Sequence, residues 1–137
     1  MHLKYLTAND WALLRSKARR LKFNPQEIII AVNARPSALF VLDRGSVSVE
    51  ITRGASIARL TAGAIFGEMA FVEDSVASAS VVAETETEVD ALDLADVNDI
   101  FTHYPHLEAR FYKSIALLLS QRLRQTSAQL AKARSAS

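Results

Sequence analysis

The spacing of hydrophobic positions changes twice along the chain, and each change predicts a different kind of secondary structure. Residues 7–23 begin with helix-capping side chains and continue with apolar side chains at helical intervals, which predicts an amphipathic helix that ends before Pro25. The capping residues are Thr7, Asn9 and Asp10, and the apolar stripe consists of Trp11, Leu14, Ala18 and Leu21.

Residues 27–94 contain short apolar runs, separated by segments rich in glycine, proline and small polar residues. The runs are EIIIAV, ALFVLDRGSVSVEI, SIARLTA, SASVVAE and VDALDL, and the turn segments are NARPS, DRGS, TRGA and TAGA. Many short strands joined by such turns are typical of a small β-barrel or sandwich. This region therefore predicts a β domain between two helical flanks.

Residues 95–133 return to helical spacing. The pattern predicts a short helix that closes before Pro105 and then a long one, because the residue before a proline disfavours helical backbone. The final residues, ARSAS, are small and polar, and we expect them to fray. The long helix carries an apolar stripe formed by Phe111, Ile115, Leu118, Leu119 and Leu123.

Composition narrows the class of protein. A chain of 137 residues, half of them apolar, predicts one domain over residues 1–137 with a single core. The absence of cysteine excludes disulfides and thiolate metal sites, and it favours a cytoplasmic location. The apolar runs are shorter than the roughly 18 residues that a membrane span needs. Basic residues gather near both ends, but they alternate with apolar residues as on a solvated helix face, so no nucleic-acid binding is predicted.

The segment TAGAIFGEMAFVED has the features of a loop that binds an anion. Gly63 and Gly67 permit backbone conformations that other residues rarely adopt, and a helical turn after Gly67 would direct several amide hydrogens outward. Glu68 in that turn can accept hydrogen bonds from sugar hydroxyls. Two glycines and a glutamate also fit a simpler interpretation, in which they form two tight turns and Glu68 faces solvent.

A wider pattern adds a resemblance. The segments EIIIAVNARPSALFVLDRGSVSVE, LTAGAIFGEMAF and SASVVAETETEVDALDLADVNDIF resemble the cyclic nucleotide-binding domain family in order, spacing and residue type. Gly45 and the HYPHL stretch around Pro105 also match. The resemblance implies an antiparallel β-roll of the jelly-roll type, like that of catabolite activator protein, with an N-terminal helix and C-terminal helices. It also implies a phosphate-binding cassette.

The cassette is degenerate at its centre. Val76 stands where the family usually has proline, and Ala77 stands where it has the arginine that pairs with the cyclic phosphate. The resemblance places the ribose contact at Glu68 and a phosphate or base contact at Ser80. The ligand pocket that it implies consists of Phe66, Gly67, Glu68, Met69, Ala70, Ala77, Ser78, Ala79 and Ser80.

Other groups of polar residues predict neither a metal site nor an enzyme. His103 and His106 have Pro105 between them, which disrupts a shared helix face, and the alternating Glu84, Glu86, Glu88 and Asp90 predict a solvated strand face rather than a calcium site. Three serines near the cassette have no adjacent histidine to activate them. They are Ser75, Ser78 and Ser80.

Two functions remain open at this point. The first is a non-enzymatic regulatory or interaction domain with weak or no cyclic nucleotide binding, in which the C-terminal helix pairs with a second copy or with a partner protein. The second is a working sensor of cyclic AMP, cyclic GMP or another small ligand, which uses Gly67, Glu68 and Ser80 with another cation in place of the missing arginine. The β region offers four arginines for that cation, Arg35, Arg44, Arg53 and Arg59, and sequence spacing does not place any of them at the pocket. Arg59, on the strand that runs toward Gly63, is the first to consider, and the simpler interpretation is that it faces solvent.

Overall fold

Eight strands and four helices make up the structure, a computed structural model that describes residues 3–136. The strands are β1 (Arg19–Phe23), β2 (Ile28–Ile30), β3 (Ala38–Arg44), β4 (Ser46–Thr52), β5 (Ala55–Thr61), β6 (Ile65–Phe66), β7 (Ser80–Ala83) and β8 (Thr87–Asp93). The helices are α1 (Ala8–Arg15), α2 (Met69–Val72), α3 (Leu94–His103) and α4 (Pro105–Ala136).

The strands form two four-stranded sheets in which neighbouring strands are antiparallel. One sheet has the order β1-β8-β3-β6, and the other has the order β2-β7-β4-β5. This confirms the predicted antiparallel β-roll with an N-terminal helix and C-terminal helices. The short helix expected just after Gly67 is α2, which interrupts the roll between β6 and β7.

The predicted helix over residues 7–23 is wrong in its second half. Helix α1 ends at Arg15, and residues 19–23 form β1 at the edge of a sheet, where Arg20 lies opposite Asp90 and Lys22 lies opposite Glu88. Leu21 and Phe23 pack against the interior of the roll. The physical reason is that RRLKF alternates polar and apolar residues, and pairing with β8 satisfies both its backbone and its charges. The roll therefore begins at residue 19 rather than at residue 27.

Strand β3 is buried on both faces and separates two hydrophobic clusters. Phe40 and Leu42 belong to a cluster between the two sheets, whereas Leu39 and Val41 point to a cluster under the helices. Successive side chains of a strand point to opposite faces, so one continuous apolar run supplies both clusters. The cluster under the helices is completed by α1, α3 and the first half of α4, including Phe111.

Helix α1 is joined to α4 by a partly buried ion pair. The Thr7 hydroxyl accepts from the Asp10 backbone N–H, and the Asp10 carboxylate accepts from the Thr7 N–H, which forms a capping box. Arg110 of α4 donates to both Asp10 carboxylate oxygens at 2.7 and 2.8 Å. These hydrogen bonds lower the pKa of the Asp10 carboxyl to about 2. The beginning of α4 is therefore fixed against α1, while its later turns extend toward the cassette.

Within residues 3–136, no helix combines the length and the apolar character that a membrane crossing requires. The long α4 has polar and charged residues throughout its second half.

Candidate functional site

A cavity of about 500 Å³ lies between the roll, the segment that contains α2, and α4. The roll contributes apolar side chains from β2, β4, β5 and β7, and α4 contributes polar ones. Eight of the nine residues predicted for the ligand pocket line this cavity. They are Phe66, Gly67, Glu68, Met69, Ala70, Ala77, Ser78 and Ala79.

Gly67 shapes the first half of the cassette. Its φ of +82° lies in the region that favours glycine, and a Cβ at this position would stand 2.7 Å from the Ala38 carbonyl oxygen. The chain turns here and enters α2, where the Ala70 N–H donates to the Gly67 carbonyl at 3.3 Å and the Phe71 N–H donates to the Glu68 carbonyl at 3.0 Å. This geometry brings Glu68 to the wall of the cavity, where it is only 5% exposed.

The Glu68 carboxylate is paired with an arginine from the C-terminal helix. The Arg122 guanidinium donates through Nη1 to Glu68 Oε1 and through Nη2 to the Ile65 carbonyl oxygen. The carboxylate expected to contact a sugar hydroxyl is therefore in contact with α4, and the interpretation that Glu68 faces solvent is wrong. The sequence predicted a solvated helix face for the basic residues near both ends, and nothing local relates Arg122 to a residue 54 positions earlier.

The second half of the cassette is held by the loop between β2 and β3. The Ala77 N–H donates to the Ala34 carbonyl at 2.7 Å, and the Asn33 N–H donates to the Ala77 carbonyl at 2.8 Å. The Ala77 side chain is partly buried and packs against the apolar cluster inside the roll. A methyl group thus stands at the cavity wall where the family resemblance implies a guanidinium.

Ser80 is placed differently from the rest of the predicted pocket. Its hydroxyl oxygen accepts from the Val32 N–H at 2.9 Å, and the residue is not among those that line the cavity. This hydrogen bond fixes the end of β2 to β7. In the structure Ser80 therefore joins two strands, and a role in ligand contact stays a prediction.

Three further arginines of the roll are either paired with a carboxylate or lie away from the cavity. Arg59 lines the cavity from β5, but its Nε donates to a Glu84 carboxylate oxygen at 2.7 Å. Arg35 is paired with Asp74 at the exposed tip of the cassette loop. Arg44 lines a separate groove at the other end of the roll. Arg59 thus lies at the edge of the cavity, with its Nε bound to a carboxylate and its side chain 64% exposed.

The predicted acidic strand face is divided between two places. Glu84 and Glu86 lie before β8 begins, whereas Glu88 and Asp90 lie on β8 and accept hydrogen bonds from Arg20 at 3.3 and 2.8 Å. The alternation predicted one solvated face, but Asp90 is only 8% exposed. Among residues 3–136, no three histidine, cysteine or acidic side chains are grouped as metal ligands would be.

Comparisons with known proteins identify the family. Residues 20–104 match the family described as "Cyclic nucleotide-binding domain". This match covers more than half of the chain, and the chain therefore belongs to the cyclic nucleotide-binding domain family.

Individual relatives agree with this assignment. The chain is 29% identical over 123 residues to cyclic GMP-binding protein C of Dictyostelium discoideum, covering 87% of this chain and 5% of that protein. It is 31% identical over 121 residues to glutaminase 1 of Bradyrhizobium diazoefficiens, covering 88% of this chain and 20% of that protein. The structure of Thermus thermophilus catabolite activator protein superposes with a TM-score of 0.75 at 27% identity, over 92% of this chain and 59% of the other. The chain thus spans a fifth or less of the length of these two curated relatives.

Proposed function

We propose that this chain is a non-enzymatic regulatory domain that keeps the cyclic nucleotide-binding fold but binds cyclic AMP and cyclic GMP weakly or not at all. The observation that carries the proposal is the methyl group of Ala77 at the cavity wall, where the family has its phosphate arginine. A guanidinium–phosphate pair makes charge-assisted and often bidentate hydrogen bonds, and its loss typically costs about 2 to 5 kcal/mol. That cost corresponds to roughly 30-fold to several thousand-fold in affinity.

The pairing of Glu68 with Arg122 supports the same proposal. A ribose that took both oxygens of the carboxylate would leave the Arg122 guanidinium with only the Ile65 carbonyl, and a partly buried charge without its counter-ion is costly. Arg122 also favours the alternative function, because it is a cation already at the cavity. In that alternative the cyclic phosphate, rather than Glu68, would pair with Arg122.

Ligand-dependent thermal stability distinguishes the two functions. A ligand present at 100 times its dissociation constant stabilises a fold by about 2.7 kcal/mol, whereas one present at its dissociation constant stabilises it by only about 0.4 kcal/mol. We expect cyclic AMP and cyclic GMP at 1 mM to give the smaller effect or none, as measured by differential scanning calorimetry. Stabilisation by about 2.7 kcal/mol would support the sensor function and reject the proposal that cyclic nucleotides bind weakly or not at all.

Two polar side chains singled out in the sequence, Ser75 and His103, make local hydrogen bonds. The Ser75 hydroxyl donates to a Glu73 carboxylate oxygen at 3.1 Å, and the His103 ring on α3 is hydrogen-bonded to the Asp99 carbonyl at 2.9 Å. The first contact lies in the exposed loop after α2, and the second lies within α3. A domain of this kind can still be part of a larger enzyme, as the similarity to a protein named glutaminase indicates. A cytoplasmic location stays a prediction from the cysteine-free composition.

We further propose that α4 pairs with a second copy of the chain through its second half. The helix has 32 residues and is therefore about 48 Å long. Its first half is buried up to Leu118, whereas Leu123 and Leu130 are 67% and 54% exposed. The two leucines are seven residues apart and lie on one face, as helix pairing requires.

Glutamate at both leucines is expected to prevent this pairing. We expect the wild-type protein to form a dimer at high micromolar concentration and Leu123→Glu/Leu130→Glu to be a monomer with unchanged circular dichroism, both measured by light scattering. The matched control is Gln121→Glu/Ala128→Glu, which adds acidic residues to another face of the same helix and should remain dimeric. A wild-type protein that is monomeric under these conditions would contradict the proposal.

A further inference from the structure

Both arginines that line the cavity are paired with carboxylates before any ligand enters. Two carboxylates, Glu68 and Glu73, and two arginines, Arg59 and Arg122, line it. Arg122 is bound to Glu68, and Arg59 is bound to Glu84. An anionic ligand that takes the Arg122 hydrogens now bound to Glu68 would separate this guanidinium from its carboxylate, at a cost that a neutral ligand does not incur.

The backbone of the second cassette half offers no compensation at Ala77. Its N–H already donates to the Ala34 carbonyl at 2.7 Å, and its side chain is an apolar methyl group. The part of the cavity wall formed by Ala77 therefore favours van der Waals contact with an uncharged group of a ligand. A phosphate against the Ala77 methyl group would lose water without gaining a hydrogen-bond partner from Ala77.

The two larger walls of the cavity differ in chemistry. The roll side presents apolar side chains such as Val49, Leu60 and Phe66, and the α4 side presents Gln125 and Gln129. An apolar surface favours the face of a flat ring, and glutamine amides both donate to and accept from the polar edge of a heterocycle. The volume of about 500 Å³ is within the range of roughly 300 to 1,000 Å³ typical of small-molecule sites.

Glu68 can accept a hydrogen bond from a ligand hydroxyl while its carboxylate remains paired with Arg122. The guanidinium bonds Oε1, and an ionised carboxylate has two oxygens with about four acceptor positions. A sugar hydroxyl can therefore donate to the same carboxylate while the ion pair stays intact. A hydroxyl-bearing neutral ligand is compatible with the pair as it stands, whereas a phosphate competes with Glu68 for Arg122.

From these contacts we infer that the cavity binds an uncharged nucleoside in preference to the cyclic nucleotide with the same base. The inference rests on the proposed function, because it requires the affinity for the cyclic phosphate to be low. The base lies between the apolar wall and the glutamines of α4, and the ribose hydroxyls donate to Glu68. The ligand class thus follows from two features. Ala77 supplies no cation for a phosphate, and Glu68 can accept from a hydroxyl while it stays bound to Arg122.

Titration calorimetry on the full chain tests this preference with two matched pairs, adenosine against cyclic AMP and guanosine against cyclic GMP. We expect the nucleoside of at least one pair to bind ten or more times more tightly than its cyclic nucleotide. Equal or tighter binding of both cyclic nucleotides would overturn the inference, and so would the absence of nucleoside binding at 1 mM. In the second case the proposed function stands, whereas micromolar binding of a cyclic nucleotide would reject that function.

The role of the hydroxyls is tested without altering the protein. 2′,3′-Dideoxyadenosine keeps the base and lacks the two hydroxyls that would reach Glu68, and we expect it to bind at least ten times more weakly than adenosine. Glu68→Gln should reduce adenosine affinity to a similar extent. Equal affinity for adenosine and its dideoxy analogue would contradict the placement of the ribose, whether or not the Glu68 variant folds.

Discussion

Ala77→Arg is expected to raise the affinity for cyclic AMP or cyclic GMP by at least tenfold. The new side chain would enter the cavity from a backbone position that Ala34 and Asn33 already hold with hydrogen bonds of 2.7 and 2.8 Å. It would supply the charge-assisted pair that the cyclic phosphate lacks in the wild-type protein. Arg122 could then remain with Glu68. Titration calorimetry on both proteins measures the change.

A variant of similar size without the charge separates the guanidinium from the added volume. Ala77→Gln is the matched control, and we expect it to change cyclic nucleotide affinity by less than threefold, since it adds no positive charge. The arginine variant should leave the affinity for adenosine nearly unchanged, because a nucleoside has no phosphate to pair with it. If Ala77→Arg folds and gains no cyclic nucleotide affinity, the cavity has changed elsewhere, and Val76 and Met69, which are 46% and 41% exposed, are the first residues to examine.

The β-roll and the turn of the cassette were predictable because their signals are local. Gly45 and Gly67 both adopt positive φ, and a Cβ on Gly45 would stand 2.4 Å from the Glu86 carbonyl oxygen, so each glycine marks a turn that few other residues permit. The run ALFVLDR is continuous and apolar at its start, as expected of a strand buried on both faces. Such features can be recognised without knowing what lies opposite them in the fold.

Strand β1 was missed because its environment is not local. Ala18 and Leu21 extend the helical stripe of α1 in the sequence, yet they contact different clusters in the structure, one under the helices and one inside the roll. The strand forms because β8 offers an edge with acidic residues opposite Arg20 and Lys22. Pairing with a strand about 70 residues away outweighed the helical spacing.

Most residues of the candidate site could be named from the sequence, whereas the pairing of its charged side chains could not. The replacement at Ala77 is visible in the sequence, whereas the contact of Arg122 with Glu68 depends on where α4 lies against the cassette. The same limit applies to Arg59, because the sequence showed neither that it lines the cavity nor that it pairs with Glu84. Pairing between charges on distant elements is decided by the packing of those elements.

Packing between α4 and the cassette depends on Phe111, and Phe111→Ala is expected to lower the free energy of unfolding by about 3 to 5 kcal/mol. Phe111 is fully buried. Its ring centroid lies 5.3 Å from that of Phe71 in α2, 5.1 Å from that of Phe101 in α3 and 5.4 Å from that of Tyr112. Removal of the ring leaves a cavity among three aromatic side chains that cannot collapse without moving a helix.

Urea denaturation followed by circular dichroism measures this loss, and Leu123→Ala is the matched control. Leu123 is an apolar residue of the same helix but is 67% exposed in the single chain. At low micromolar concentration, below the range in which we expect the dimer, its truncation should therefore change stability by less than about 0.5 kcal/mol. A loss below about 1 kcal/mol for Phe111→Ala would contradict this packing of Phe111 among the three aromatic rings.

Because Phe71 belongs to α2, the variant should also loosen the turn that places Glu68 beside Arg122. We therefore expect faster hydrogen exchange at the backbone amides of residues 69–72 in Phe111→Ala than in Leu123→Ala, each measured under conditions where the variant is folded.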